Sequence, residues 1–158
     1  MATEPRIKTT VVGSYPFPDW LAVLPSEQTV IDATRVVIHT QEMAGIDLVC
    51  DGELYRFDVN HPETNGMIEY FVKPMKGIRS AIEFDELVAY RAQRGMGFRT
   101  RPPAVVDGPV SAGTLDLPQA CARAKRLSSK PFKFTLTGPH MLAKTLVDHH
   151  YKLSLIHI

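Results

Sequence analysis

Four short apolar runs in this chain each lead directly into a turn that contains glycine. In a parallel α/β barrel the strands end at a common mouth, where the loops that follow them present polar groups to a ligand. The 158 residues provide about four such units, whereas an eight-stranded barrel needs roughly 250 residues. We therefore predict an α/β fold corresponding to a partial (β/α)8 barrel, about its first four βα units. The predicted strands with their turns are Thr9–Ser14, Asp47–Glu53, Ala104–Pro109 and Phe132–Pro139.

Helical patterns separate most of these strands. A helix is predicted after the first strand, with Thr29 and Asp32 at capping-box spacing and Gly45 as its C-terminal stop. Two further helices are predicted, over Asp116–Leu127 and from Pro139 through Leu146. The order of strand, helix, glycine and strand is that of a βα unit with a parallel neighbour.

Two segments depart from this alternation. Glycine and proline interrupt the chain from Phe57 to about Arg101. A structureless loop of that length is uncommon, so we expect an excursion over the barrel mouth with a short helix around Phe84 to Ala92. Residues 152–158 have no capping signal and alternate apolar residues where a helix should continue or stop. We predict a barrel domain over 1–151 and a non-native or disordered tail over 152–158.

Composition narrows the class of partner. The net charge is +1, with acidic and basic residues interspersed, so no nucleic-acid or anionic-membrane surface is predicted. The N-terminus lacks an apolar signal region, and no apolar run approaches the roughly 20 residues of a membrane span. A cytoplasmic protein acting on small polar molecules is expected. Cys50 and Cys121 have no paired spacing and are predicted to be free thiols.

Asp51 and Glu53 form a candidate acidic pair at the end of the second strand. If strand geometry continued, side chains two residues apart would point to the same face. Such a pair could bind a substrate ammonium group, ligate a metal or act as acid and base. The alternative is a solvated strand end with Arg56 as a salt-bridge partner.

Gly13 and Ser14 follow the first strand and offer a backbone N–H and a hydroxyl to a carboxylate. By itself, a glycine-serine pair is more often an ordinary turn. His140, in the first turn of the last helix, could face the mouth or cap the helix.

The group of Asp58, His61 and Glu63 lies in one loop without strand or helix support, which favours a surface loop over a metal site. Arginines of the excursion could reach an anionic ligand or form a solvated loop: Arg91, Arg94, Arg99 and Arg101.

Taken together, several of these motifs resemble the catalytic barrel of cobalamin-independent methionine synthase, in order and in spacing. The motifs are Thr9–Pro16, Ala44–Asp47 leading to Asp51–Asp58, Ile68–Phe71 and Leu136–Pro139. The resemblance extends to about Tyr151. It implies a (β/α)8 barrel that transfers a methyl group from a methylated folate to the thiol of homocysteine, with zinc activating that thiol.

By the same resemblance, Gly13 and Ser14 would hold the carboxylate of the amino acid and Glu53 its ammonium group. Asp51, a further candidate for substrate binding, stands where some members of the family carry a different residue. The zinc ligands of the family are a His-x-Cys pair, a later Glu and a last Cys. They come from strands beyond the fourth, and this chain contains none of them. The chain is therefore expected to carry the amino-acid recognition half and to be inactive by itself.

Two other functions remain compatible with these residues. One is a different enzyme on the same barrel, such as another thiol methyltransferase or a porphyrin-decarboxylase-like enzyme. The other is a non-catalytic amino-acid-binding remnant that keeps Gly13, Ser14 and Glu53.

Overall fold

In a computed structural model of the chain, residues 7–56, 66–92 and 99–152 are described. Their helices are α1 (Asp19–Val23), α2 (Glu27–Met43), α3 (Glu69–Val72), α4 (Phe84–Ala92), α5 (Leu117–Lys125) and α6 (Pro139–Thr145). Their strands are β1 (Lys76–Arg79), β2 (Val105–Ser111) and β3 (Val147–Asp148). The contacts divide the chain into two units, one drawn from 1–65 and 116–135 and the other from 66–115 and 136–158.

Helix α2 dominates the first unit, and side-chain caps define where it starts. The hydroxyl of Ser26 accepts the N–H of Thr29 at 3.1 Å, and the hydroxyl of Thr29 accepts the N–H of Ser26 at 2.9 Å. This reciprocal capping box lies one turn before the Thr29 and Asp32 spacing that we predicted. The predicted stop is confirmed, because Gly45 adopts a φ of 78° directly after the helix.

Three extended segments of the first unit lie side by side in parallel. Thr10 pairs with Leu48, and Val49 pairs with Phe132. The N–H of Leu48 donates to the carbonyl of Thr9 at 3.1 Å, and the N–H of Lys133 donates to the carbonyl of Val49 at 2.9 Å. The first, second and fourth predicted strands are therefore neighbours in that order.

Helix α2 packs on these segments through an apolar and a polar contact. Its buried residues Ala33 and Val37 form a core with Leu21 and Leu54. Gln41 donates its side-chain N–H to the carbonyl of Cys50 at 2.9 Å and accepts the N–H of Cys50 at 3.0 Å. Helix and strand end are thus held in one register directly before the turn that carries Asp51 and Glu53.

The second unit contains a three-stranded mixed sheet in the order β1-β2-β3. Strand β2 pairs antiparallel with β1 and parallel with β3. Most of the predicted strand Ala104–Pro109 lies in β2 of this sheet. The antiparallel pairing of β2 with β1 was not predicted, because an apolar run shows that a strand is buried but not which strand it pairs with. The extent of the partial barrel stays a prediction.

The remaining helices agree closely with expectation. Helix α4 has the predicted bounds, and α5 begins after Asp116, whose carboxylate accepts the N–H of Gln119 at 3.0 Å. Helix α6 begins at Pro139 and ends one residue before the predicted Leu146. Strand β3 follows it and was not predicted.

Residues 153–158 lie outside the described part of the chain, so the boundary at 151 stays a prediction. No helix among the described residues is long and apolar enough to cross a membrane.

Candidate functional site

The second extended segment ends in a left-handed turn. Gly52 has a φ of 71° and Glu53 a φ of 60°, a region that residues with a Cβ adopt only at a cost. The carboxylate of Asp51 supports the turn by accepting the N–H of Glu53 at 3.1 Å. A Cβ on Gly52 would lie 2.7 Å from a methyl carbon of Val37 and 2.8 Å from the Cβ of Tyr15. Glycine is therefore required here for both backbone conformation and space.

This turn brings Glu53 to Ser14, which follows the first extended segment. The N–H of Tyr15 donates to the carbonyl of Gly52 at 2.8 Å. The hydroxyl of Ser14 donates to Oε2 of Glu53 at 3.1 Å. The space around Gly13 is open, since a Cβ built there would meet no atom within 4 Å. A hydroxyl, a carboxylate and an unobstructed backbone therefore converge within one small region.

Arg56 completes this arrangement from a single 3-10 turn, Leu54–Arg56. Its Nη1 lies 3.3 Å from Oε2 of Glu53, and the side chains of Arg56 and Glu53 are only 1% and 7% exposed. The salt bridge considered as the alternative for this strand end is present, but it is buried rather than solvated. The ion pair belongs to the site and is not a feature of the surface.

Further contacts hold the guanidinium of Arg56 in place. It donates to the carbonyl of Thr135 and, at 3.3 Å, to the hydroxyl of Tyr55. Its central carbon also lies 5.5 Å from the centroid of the Tyr55 ring. That ring stacks nearly parallel on Phe134, with 6.0 Å between the centroids. Arg56 thus links the left-handed turn to the third parallel segment.

Asp51 has different surroundings from Glu53. It is fully buried and lines a cavity of about 30 Å³ between α2 and α5, together with Thr34, Tyr55 and Arg123. Because Gly52 and Glu53 leave strand geometry, the basis for expecting both carboxylates on one face is absent. Burial raises the pKa of Asp51, and this outweighs the lowering by the N–H of Glu53, the Tyr55 hydroxyl and the Arg56 guanidinium.

The raised pKa of Asp51 predicts how the free energy of unfolding changes with pH. A carboxyl of this kind stabilises the fold fully below the pKa of the unfolded chain, about 3.9, and this contribution is lost as the pH rises through the raised value. Asp51→Asn stays neutral and can still accept the N–H of Glu53. We expect its free energy of unfolding to increase relative to the wild type between about pH 3 and pH 7. Urea denaturation at both pH values measures the difference, and Asp85→Asn, at an exposed residue of α4, is the control. A difference independent of pH would contradict the prediction.

The other predicted candidates belong to the second unit or lie outside the described residues. His140 is exposed in the first turn of α6. Arg99 forms a salt bridge with Glu69, and Arg91 donates to the carbonyl of Thr100 at 2.9 Å, while Arg101 is exposed. Asp58, His61, Glu63 and Arg94 lie outside the described residues.

The resemblance implies a zinc ion, which needs several His, Cys, Asp or Glu side chains close together. Within the described ranges, no three His, Cys, Asp or Glu side chains come together as a metal site. Cys50 and Cys121 are both free. Burial raises the pKa of the Cys50 thiol, which disfavours the thiolate that zinc requires. The described residues do not fit a zinc ion.

Sequence reasoning predicted the meeting of Ser14 and Glu53 but not the importance of their neighbours. Tyr55, Phe134 and Thr135 were not identified as parts of the site, and Arg56 was considered only as a surface partner. The signal available in the sequence was the spacing of Glu53 and Arg56, which brings the two side chains together if a single helical turn follows the strand end.

Sequence comparison finds relatives described as methionine synthases or homocysteine methyltransferases. No family model matches the chain. A methionine synthase from Sulfurisphaera tokodaii is 28% identical over 162 residues, covering 94% of this chain and 43% of the relative. A 5-methyltetrahydropteroyltriglutamate–homocysteine methyltransferase from Nitratidesulfovibrio vulgaris is 30% identical, covering 88% of this chain and 17% of the relative. The chain thus spans less than half the length of these relatives.

A solved structure agrees with the sequence relatives. It is a B12-independent methionine synthase from Shewanella sp. W3-18-1 in complex with selenomethionine. It matches 92% of this chain and 42% of its own, with a TM-score of 0.66 and 26% sequence identity. In sequence and in its α/β fold, this chain is therefore similar to cobalamin-independent methionine synthases over about nine-tenths of its length.

Proposed function

We propose that this chain forms the amino-acid-binding part of a homocysteine S-methyltransferase, an enzyme that transfers a methyl group from a methylated folate to the thiol of homocysteine. The observation that carries the proposal is the 3.1 Å hydrogen bond between Ser14 and Glu53. It joins two segments that are 39 residues apart, beside the open backbone of Gly13. An amino acid has one negative and one positive end, and this region offers a group for each.

In this proposal, the backbone N–H and the hydroxyl of Gly13–Ser14 bind the substrate carboxylate. The carboxylate of Glu53 accepts hydrogen bonds from the substrate ammonium. A charge-assisted bond of this kind contributes on the order of 1.5 to 3 kcal/mol. Asp51 acts indirectly, by holding the N–H of Glu53 and so the turn. The name of the Nitratidesulfovibrio vulgaris relative supports homocysteine as substrate, and the Shewanella enzyme binds selenomethionine, which carries the same two charged ends.

Methyl transfer needs the substrate thiol as a thiolate, which a bound zinc ion supplies in the enzymes that this chain resembles. The described residues of this chain do not fit that ion. Their role in the proposal is therefore to bind and orient the amino acid, and we propose that the chain alone does not catalyse transfer.

Calorimetric titration with L-homocysteine and L-methionine tests the proposal. Glu53→Gln keeps the shape of the side chain but removes its charge. We expect it to weaken binding about 10- to 150-fold, the equivalent of losing one charge-assisted hydrogen bond.

Glu83→Gln is the matched control, because Glu83 is an exposed glutamate of the second unit. Its affinity should equal that of the wild type. Equal affinities of wild type and Glu53→Gln, or no binding by the wild type, would overturn the proposal.

A further inference from the structure

The candidate site contains a positive charge that amino-acid binding as proposed does not use. Glu53 and Arg56 are both buried, with 3.3 Å between Oε2 and Nη1. The pair is neutral as a whole. We infer that Arg56 makes this site selective for zwitterions over cations that share the same side chain. This inference rests on the proposed function and adds a specificity-determining residue to it.

The physical basis is the free-energy cost of placing a net charge in a site from which water is excluded. Two charges interact several times more strongly in a partly buried site than in bulk water, and an unbalanced buried charge is destabilising. An amino acid adds one positive and one negative group, so it leaves the net charge of the site unchanged. An amine without a carboxylate adds one uncompensated positive charge beside Arg56. Without Arg56, the negative charge of Glu53 would instead favour that amine.

Arg56 can exert this effect because it is fixed. The carbonyl of Thr135 and the hydroxyl of Tyr55 accept its N–H groups, and the ring of Tyr55 lies beneath it. With only 1% of its side chain exposed, the guanidinium is shielded from water. The hydroxyl of Ser14 donates to the same oxygen of Glu53 that Arg56 contacts, so the ion pair is next to the predicted carboxylate position.

The test compares two ligands that differ only in the carboxylate, L-methionine and 3-(methylthio)propylamine. Calorimetric titration gives the ratio of their affinities for the wild type, Arg56→Gln and Arg56→Lys. We expect the wild type to favour methionine at least about 10-fold. Arg56→Gln removes the charge but can still donate a hydrogen bond, and we expect it to reduce that ratio at least about 10-fold. Arg56→Lys keeps the charge and should keep the ratio.

Arg35→Met is the control for loss of an arginine, because Arg35 is 57% exposed on α2, and its ratio should equal that of the wild type. A merely structural role for Arg56 would weaken both ligands equally and leave the ratio unchanged, which would overturn this inference but not the proposed function. No binding of either ligand by the wild type would overturn both. If Arg56→Gln does not fold, the same ratio is measured on Arg56→Met, where an unchanged ratio would again overturn the inference.

Discussion

Replacing Gly52 with alanine is expected to lower the free energy of unfolding by about 2 to 5 kcal/mol. A left-handed backbone costs a residue with a Cβ about 1 to 2 kcal/mol. The new methyl group would also lie 2.7 Å from Val37 and 2.8 Å from Tyr15, and overpacking of this kind costs about 1 to 3 kcal/mol. Urea denaturation of the variant and the wild type measures the loss.

Gly45→Ala separates the cost of the left-handed backbone from the cost of overpacking. Gly45 has a φ of 78°, but a Cβ there would meet no atom within 4 Å. Only the backbone cost of about 1 to 2 kcal/mol is expected. A loss at Gly52 no larger than the loss at Gly45 would show that the space around Gly52 can expand.

Replacing Glu53 with alanine is expected to destabilise the fold by about 3 to 5 kcal/mol, because it leaves the guanidinium of Arg56 buried without its carboxylate. This loss is independent of any ligand. It is measured by chemical denaturation of the wild type and the single variant.

The double variant Glu53→Ala with Arg56→Met provides the control. It removes the buried guanidinium as well as the carboxylate, so it should be more stable than Glu53→Ala alone. If the second substitution instead adds its own full loss, the two side chains are not energetically coupled and the 3.3 Å contact contributes little.

Local patterns in the sequence were sufficient for most helices. Helix α4 was predicted at its observed bounds, and the proline and aspartate that begin α5 and α6 were recognised. These signals act within a few residues of chain and need no knowledge of distant partners. The partner of Ala104–Pro109 was not predictable in this way, since a pair of buried valines fits a parallel and an antiparallel neighbour equally well. Its strand bonds to β1, from the segment expected to be an excursion.

For the site, the meeting of Ser14 and Glu53 followed from one rule, that parallel neighbouring strands end on the same side. The different surroundings of Asp51 did not follow, because the positive φ of Glu53 interrupts the alternation on which that expectation rested. The burial of Arg56 also depends on contacts from Thr135, 79 residues away. Sequence spacing shows that Glu53 and Arg56 can meet but not whether water surrounds them.

The double contact between Gln41 and Cys50 has a further consequence. An amide side chain carries the same donor and acceptor as a peptide group, so Gln41 satisfies the backbone of Cys50 as an additional strand would. Sliding α2 by one turn would separate both atom pairs at once, and glutamate at position 41 would retain only an acceptor. The position of α2 along its axis therefore determines how far the second extended segment runs before the bend at Gly52 and Glu53.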